Sequence, residues 1–317
     1  MEQSCQTTAE TLNDIIAWRP ALASLLTAFS PLLTQAETLT AELLEDPLVA
    51  AINLPQCEPS RLQLGASLLS HYTMPDVSGA LAYARTKLWP QLQAIPALTD
   101  SLEPYYSYLG QVTLEDQHKL LDAVLLNDGT LLSDLATSKN LDAGILHFLA
   151  TFLYSSLLKA VVLKNYGPAN LEKEWPWETN NIWQQGYCPV CGSLPTIAWL
   201  DKAVIDERNT YLLGGGGRKH LHCGLCGANW RFLRLACPVC GIAESKQIEI
   251  LTCDEDSHGE SLHWCAKCNS YLPTVDLRER IAIPNLDAQA FGMLHLELIA
   301  KEKQLKPLHL SFWNSFS

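Results

Sequence analysis

CPVCG at Cys188–Gly192, CGLCG at Cys223–Gly227, CPVCG at Cys237–Gly241 and CAKCN at Cys265–Asn269 decide how this chain folds. Eight of its eleven cysteines stand at one spacing inside a window of 81 residues, which points to one shared chemistry. Two intervening residues let both sulfurs of a pair approach one ion about 2.3 Å away while their backbone turns over it. Pairs therefore come two to a site. The residues after each second cysteine are Gly192, Gly227, Gly241 and Asn269, the types that enter a left-handed backbone conformation most easily. That turn aims backbone N–H groups at the sulfurs and offsets their charge. Pro189 and Pro238 pre-set the first turn angle.

The first two pairs enclose 31 residues and the last two enclose 24, while only 10 separate the two groups. Each group then matches the plan of a zinc ribbon or rubredoxin site, with a hairpin between two Cys-x-x-Cys turns. Adjacent pairing is expected over crossed pairing: Cys188, Cys191, Cys223 and Cys226 on one ion, and Cys237, Cys240, Cys265 and Cys268 on a second. Sites filled by four thiolates leave no open position for water, which suits a structural or electron-transfer metal. Iron and zinc use the same ligands, so the spacing does not choose between them. Catalytic disulfide exchange needs a helix start behind the first cysteine, and the pairs lie instead among β-favouring runs such as TIAWL, RFLRLAC and ILTC.

Neighbouring residues read more plainly. With eight thiols at hand, His220, His222, His258 and His263 are expected beside the sites rather than as ligands. Arg218, Lys219, Arg231 and Arg234 can offset the net negative charge of a four-thiolate ion, a substrate-contacting patch being the alternative. Cys5 and Cys57 lie outside the window, and Cys253 reads as a buried structural cysteine. The run Gly214–Gly217 lacks the Lys-Ser/Thr sequel of a phosphate loop and reads as a hairpin tip. No Gly-x-Ser-x-Gly, HExxH or dinucleotide fingerprint is present, and no enzymatic activity is expected.

Upstream, from about residue 6 to 165, apolar residues recur three and four apart with Pro or Gly at the breaks, the pattern of a helical bundle. Leu22, Leu25, Leu26 and Phe29 form one face that Ser30-Pro31 is expected to end, and Leu32 to Leu44 another before Asp46-Pro47. Helices are also expected over 61–71, from Val77 to Trp89, from a cap at Thr113 to Leu126, and from Leu141 to Leu163. The last contains GILHFLATFLYSSLLKAVVL, long enough to cross a bilayer. His147, Ser155, Ser156 and Lys159 within it argue for a buried central helix and against stable membrane insertion. Trp175, Trp177 and Trp183 then read as a packing cluster between the helices and the cysteine region. Beyond Pro284, Leu286 to Leu305 resumes helical spacing.

The fold class expected is therefore an N-terminal helical bundle, two tandem rubredoxin-like or zinc-ribbon four-cysteine modules, and a C-terminal helix. Its divisions fall at 1–170 for the helical domain, 171–186 for a Trp-rich linker, 187–232 and 233–280 for the modules, and 281–317 for the C-terminal helical segment.

Charge and address complete the picture. The net charge of −12 comes almost wholly from residues 1–187, which balance at −11. Such a body repels a phosphate backbone, so a nucleic-acid-binding zinc ribbon is disfavoured. An acidic solvated surface is the ordinary reading, and a docking face for a basic peptide the sharper one. MEQSCQTTAE has no basic cluster before an apolar run, unlike an export signal. Thiol richness without one suits the reducing cytoplasm.

YCPVCGSLP (Tyr187–Pro195), LHCGLCGANW (Leu221–Trp230) and CAKCNSYLPTVDL (Cys265–Leu277) together resemble the formate dehydrogenase accessory protein family FdhE. The resemblance covers the metal region and, more loosely, the helical half. It implies a cytoplasmic assembly factor with a helical domain and tandem rubredoxin-like modules that bind iron. It also implies association with the molybdenum- or tungsten-containing catalytic subunit of formate dehydrogenase before twin-arginine export. The eight paired cysteines match the family's ligand pairs, while Cys253 and the GGGG run inherit no role. A rubredoxin-like electron carrier is the remaining alternative, and the large helical half then has no evident purpose.

Overall fold

The computed structural model describes residues 5–95, 98, 102–167, 174–179, 182–201, 217–252 and 257–309. Its helices are α1 (Thr8–Trp18), α2 (Ala23–Leu44), α3 (Pro47–Ala50), α4 (Pro59–Gln63), α5 (Ser78–Gln93), α6 (Glu103–Leu109), α7 (Leu114–Leu126), α8 (Ser133–Ser138) and α9 (Ala143–Tyr166), then α10 (Leu286–Gly292) and α11 (Leu294–Glu302). Its strands are β1 (Ile197–Leu200), β2 (Lys219–His222), β3 (Asn229–Phe232), β4 (Ile248–Leu251), β5 (Glu260–Cys265), β6 (Ser270–Asp276) and β7 (Lys306–Pro307).

Local chemistry sets several boundaries. The Thr7 hydroxyl accepts from Glu10 N while Glu10 answers on the Thr7 amide, a capping box that starts α1. Thr113 caps α7 through the Asp116 amide, and Asn127 ends it in the left-handed region. Asp142 caps α9 through the Ile145 amide.

Three expectations fail in instructive ways. Ser30-Pro31 does not end a helix: α2 runs through Pro31. A proline inside a helix costs about 3 kcal/mol, and here Leu26 before it and Leu32, Leu39 and Leu43 after it are all fully buried, which offsets that cost. For the same reason α5 continues through Pro90 to bury Leu92. Over 61–71 the opposite holds, because the helix stops at Gln63. Gly65 turns left-handed, and the Leu68 and Leu69 amides donate to the carbonyls of Pro189 and Val190 at 2.8 and 2.9 Å. The helical region thus gives up part of a helix to grip the first cysteine turn.

Helix α9 is the axis of the helical region, packed against α2, α5 and α7. It is long and apolar enough to span a bilayer, yet two-thirds of its most apolar stretch is buried inside the fold. Its polar residues have internal work. His147 Nε2 lies 3.2 Å from the Ala123 carbonyl, Ser155 donates to the Gly224 carbonyl, and Lys159 pairs with Asp287 at 2.5 Å.

The strands form one sheet in the order β3-β2-β1-β6-β5-β4, with β7 also on β6. The β1–β2–β3 and β4–β5–β6 units are each antiparallel, and β1 joins them by pairing parallel to β6 from Ala198↔Thr274 to Leu200↔Asp276. On the same flank β7 pairs with Ser270 and Tyr271. Pro273 falls between these two pairings, where its missing N–H costs nothing. One core spans the bundle, the Trp cluster and the first cysteine group. A second lies between the sheet and α10–α11 and includes Trp199, Leu262, Val275 and Met293. The C-terminal region is two short helices rather than the single one expected, broken at Met293. The break is where α10 is pressed on α1: a Cβ at Gly292 would stand 2.3 Å from Ile15 Cδ1.

Glu260, whose side chain is fully buried, ties three regions together. It pairs with Arg19 at 2.7 Å and Arg280 at 3.2 Å and accepts from Gln289 at 2.7 Å. Removing one partner of a buried ionic network leaves the others uncompensated. Glu260→Ala is expected to lower the stability of the fold by about 3–5 kcal/mol, read as a shift of the denaturant midpoint at unchanged slope.

Candidate metal centres

Each Cys-x-x-Cys turn closes on itself by the same hydrogen bond. The amides of Gly192, Gly227, Gly241 and Asn269 donate to the carbonyls of Cys188, Cys223, Cys237 and Cys265 at 3.0, 2.8, 3.0 and 2.8 Å. The four donors have φ of +81°, +75°, +69° and +58°, the left-handed region that their types tolerate. In three of the turns the first cysteine's amide reaches forward to the residue five on: Cys188 to Ser193, Cys223 to Ala228 and Cys237 to Ile242. In the fourth, Cys265 ends β5 and pairs with Ile248 instead.

The hairpins bring the turns together two by two. Cys188, Cys191, Cys223 and Cys226 form one group and Cys237, Cys240, Cys265 and Cys268 the other, with all sulfurs of a group within 4.8 Å of one another. Sγ separations are 3.5 Å for Cys188–Cys226 and Cys191–Cys223, and 3.6 and 3.7 Å for Cys237–Cys268 and Cys240–Cys265. A tetrahedron with metal–sulfur bonds of about 2.3 Å has edges of about 3.8 Å, while a disulfide needs about 2.05 Å. Both groups therefore suit a four-thiolate metal ion and neither holds a disulfide. The grouping is the adjacent one.

Electrostatics supports the same conclusion. Burial pushes the Cys188 and Cys226 thiols well up, while hydrogen bonds from the other three thiols hold Cys191 well down. Without a cation the group can only share protons. A cation at the centre lets all four ionise.

The histidines are placed around these groups, and among the described residues both groups consist of cysteines alone. His222 is held between Asn229 Oδ1 at 3.1 Å and Asp287 Oδ1 at 3.2 Å. His220 stacks on Trp199 with ring centroids 4.1 Å apart and meets Glu178 at 3.1 Å. His258 stacks on Trp18, and burial pushes His263 down to about 3. Of the four cations singled out in the sequence, Arg218 pairs with Asp201 at 2.7 Å. Lys219 is buried and lowered to about 8 by that burial, with the Cys237 charge opposing the shift. Arg231 and Arg234 are exposed. Cys253 and Gly214–Gly216 lie outside the described residues.

Several supporting residues carry no sequence signature. The Thr196 hydroxyl accepts from the Gly224 amide at 3.1 Å. Asp287, from α10, joins Lys159 of α9 to His222 of β2. Burial alone would raise its carboxyl, yet the Lys159 charge and the His222 hydrogen bond hold it far below the usual range. The indoles of the Trp cluster act as struts: Trp175 and Trp177 stack at 4.9 Å, and Trp177 donates to the Asn229 carbonyl at 2.8 Å.

Comparison with known proteins places this arrangement. No protein-family model matches the chain. An FdhE homologue of Aquifex aeolicus is 32% identical over 122 residues, 38% of this chain and 39% of that protein. One from Proteus mirabilis is 24% identical over 238 residues, 75% of this chain and 69% of its own length. The crystal structure of the FdhE protein from Pseudomonas aeruginosa superposes with a TM-score of 0.57 at 19% identity, over 96% of this chain and 93% of that one. The chain is similar to FdhE proteins in sequence and in fold. Its helical region, small sheet and two four-cysteine groups form an FdhE-like fold with two zinc-ribbon-like modules. The first curated relatives align over less than two-fifths of their own length.

The two modules differ in setting. All four cysteines of the first group are buried, whereas Cys240 and Cys268 of the second are partly exposed. Cys191→Ser and Cys240→Ser are each expected to halve the metal content by elemental analysis. Only the first should also lower the unfolding temperature of the helical region, because its site is part of that core.

Proposed function

We propose that each group binds one metal ion, iron or zinc, through Cys188, Cys191, Cys223 and Cys226 or Cys237, Cys240, Cys265 and Cys268. We further propose that the protein is a non-enzymatic assembly factor for formate dehydrogenase that binds its catalytic subunit in the cytoplasm before export. Similarity to FdhE proteins supports the class of role. The metals hold the modules in shape, since four thiolates fill every tetrahedral position.

The observation that carries the reading of the contact surface is the unequal fate of two identical CPVCG turns. Val190 in the first is fully buried against the helices, and Val239 in the second is 48% exposed. Gly192 stands against Ser67, whereas a side chain at Gly241 would meet open space. Around the second turn Leu233 and Leu235 are also exposed, at 63% and 42%. Apolar side chains left open on a shaped, metal-held turn are a recognition surface for another protein. The second module is accordingly the face offered to the catalytic subunit, and the first fixes it to the helical body.

Leu233→Asp with Val239→Asp is expected to reduce recovery of the tagged catalytic subunit by at least ten-fold while leaving metal content unchanged. Full formate dehydrogenase activity in cells lacking this chain would overturn the assembly role. A nucleic-acid role would instead appear as salt-dependent DNA or RNA binding, and an electron carrier as a reversible couple with a partner reductase.

A further inference from the structure

An open cavity of about 810 Å³ lies between the bundle and the sheet. One wall is a stripe along α9 in steps of three and four, from Gly144 through Phe148, Phe152, Ser155 and Lys159 to Leu163, a run of about 28 Å. Leu33, Glu37, Thr40 and Leu44 repeat that spacing along α2. Leu272 and Pro273 of β6 complete the apolar lining.

The walls carry negative charge that no cation offsets. Glu297 of α11 stands in them without a hydrogen bond or ion pair among the described residues, and burial pushes its carboxyl up to about 7. The Glu37 carboxylate accepts only from neutral groups, the Thr8 amide at 3.0 Å and Asn285 Nδ2 at 3.1 Å. The Asp142 side chain accepts from the Ile145 amide at 2.9 Å. Among the described lining residues Lys159 is the one lysine or arginine, and Asp287 pairs with it. Desolvated carboxyl groups of this kind are costly until a cation or donor reaches them.

We propose that this cavity is a docking groove for a basic amphipathic helix of a partner protein, its apolar face laid along the α2 and α9 stripes and its flanking lysine or arginine side chains meeting Glu297, Glu37 and Asp142. Charge selects a basic partner over an acidic or neutral one. Shape selects a helix: two stripes at helical spacing, with small residues at Ala36, Ala41 and Gly144 between the large ones, form a trough of the kind that receives a third helix. A strand has no place to add. On that edge of β6, β7 pairs with Ser270 and Tyr271 and β1 pairs from Thr274 onward. Leu272 and Pro273 alone lie between them, and a proline has no N–H to offer. The inference goes beyond the assembly role and does not rest on it, since Leu233 and Val239 are not part of this lining.

The test titrates the full chain with a synthetic peptide of about 18 residues, enough for a helix of the groove's length, with leucine and alanine on one face and lysine on the other. Its twin carries glutamate for every lysine. By fluorescence anisotropy the lysine peptide is expected to bind at least ten-fold tighter than the twin, and by circular dichroism to gain helicity on binding. Ala41→Trp, at an exposed position of the wall, is expected to raise its Kd at least ten-fold, and Glu297→Gln about five-fold. Glu45→Gln removes an exposed charge outside the groove and is expected to leave the Kd unchanged. No binding, a bound peptide without helicity, or equal Kd values for the native chain, Ala41→Trp and Glu297→Gln would overturn the proposal. Equal losses in Glu297→Gln and Glu45→Gln would overturn it as well, by reducing the effect to overall charge. That pair of variants carries the test alone if Ala41→Trp does not fold.

Discussion

A thiolate taken out of water is stable only beside a cation, and the first cysteine group carries four of them into the main hydrophobic core. Burial raises Cys188 and Cys226, and only hydrogen bonds from the neighbouring thiols lower Cys191, so four thiolates together call for a cation. The helical region, the Trp cluster and the first module are thus assembled around a four-cysteine group that could hold a metal ion. Backbone geometry shapes the cage: four left-handed residues close four turns by the same hydrogen bond.

Polar links transmit that anchoring outward. Lys159, Asp287 and His222 connect the axial helix, α10 and β2 beside the first group. Glu260 with Arg19 and Arg280 connects the first helix to the β5 strand of the other module. Between them the parallel pairing of β1 with β6 turns two modules into one sheet. These ties make the relation between the modules a fixed one.

The same sequence motif has two roles because its surroundings differ. CPVCG at Cys188 is gripped by the Leu68 and Leu69 amides and walled by Val190 on the helices. CPVCG at Cys237 is set on the outer edge with Val239 open. The exposed turn keeps the left-handed closure of the buried one, and among the described residues nothing covers Val239.

Much was legible in the sequence by itself. The Cys-x-x-Cys spacing with its following Gly or Asn is local turn chemistry, and it determined the four turns and their two-by-two grouping. Apolar periodicity and caps such as Thr113 determined the helical region, because helix signals repeat every turn. Tertiary structure alone decided what depends on contacts between distant residues. Pro31 and Pro90 stay inside helices since burial on both sides outweighs a lost hydrogen bond. Residues 64–71 leave the helical pattern since their amides are needed by the first cysteine turn. Which of two identical turns is buried, and that two modules share a sheet through β1 and β6, is written nowhere in the motifs, because it is settled by the fit of one surface to another across more than 70 residues of chain.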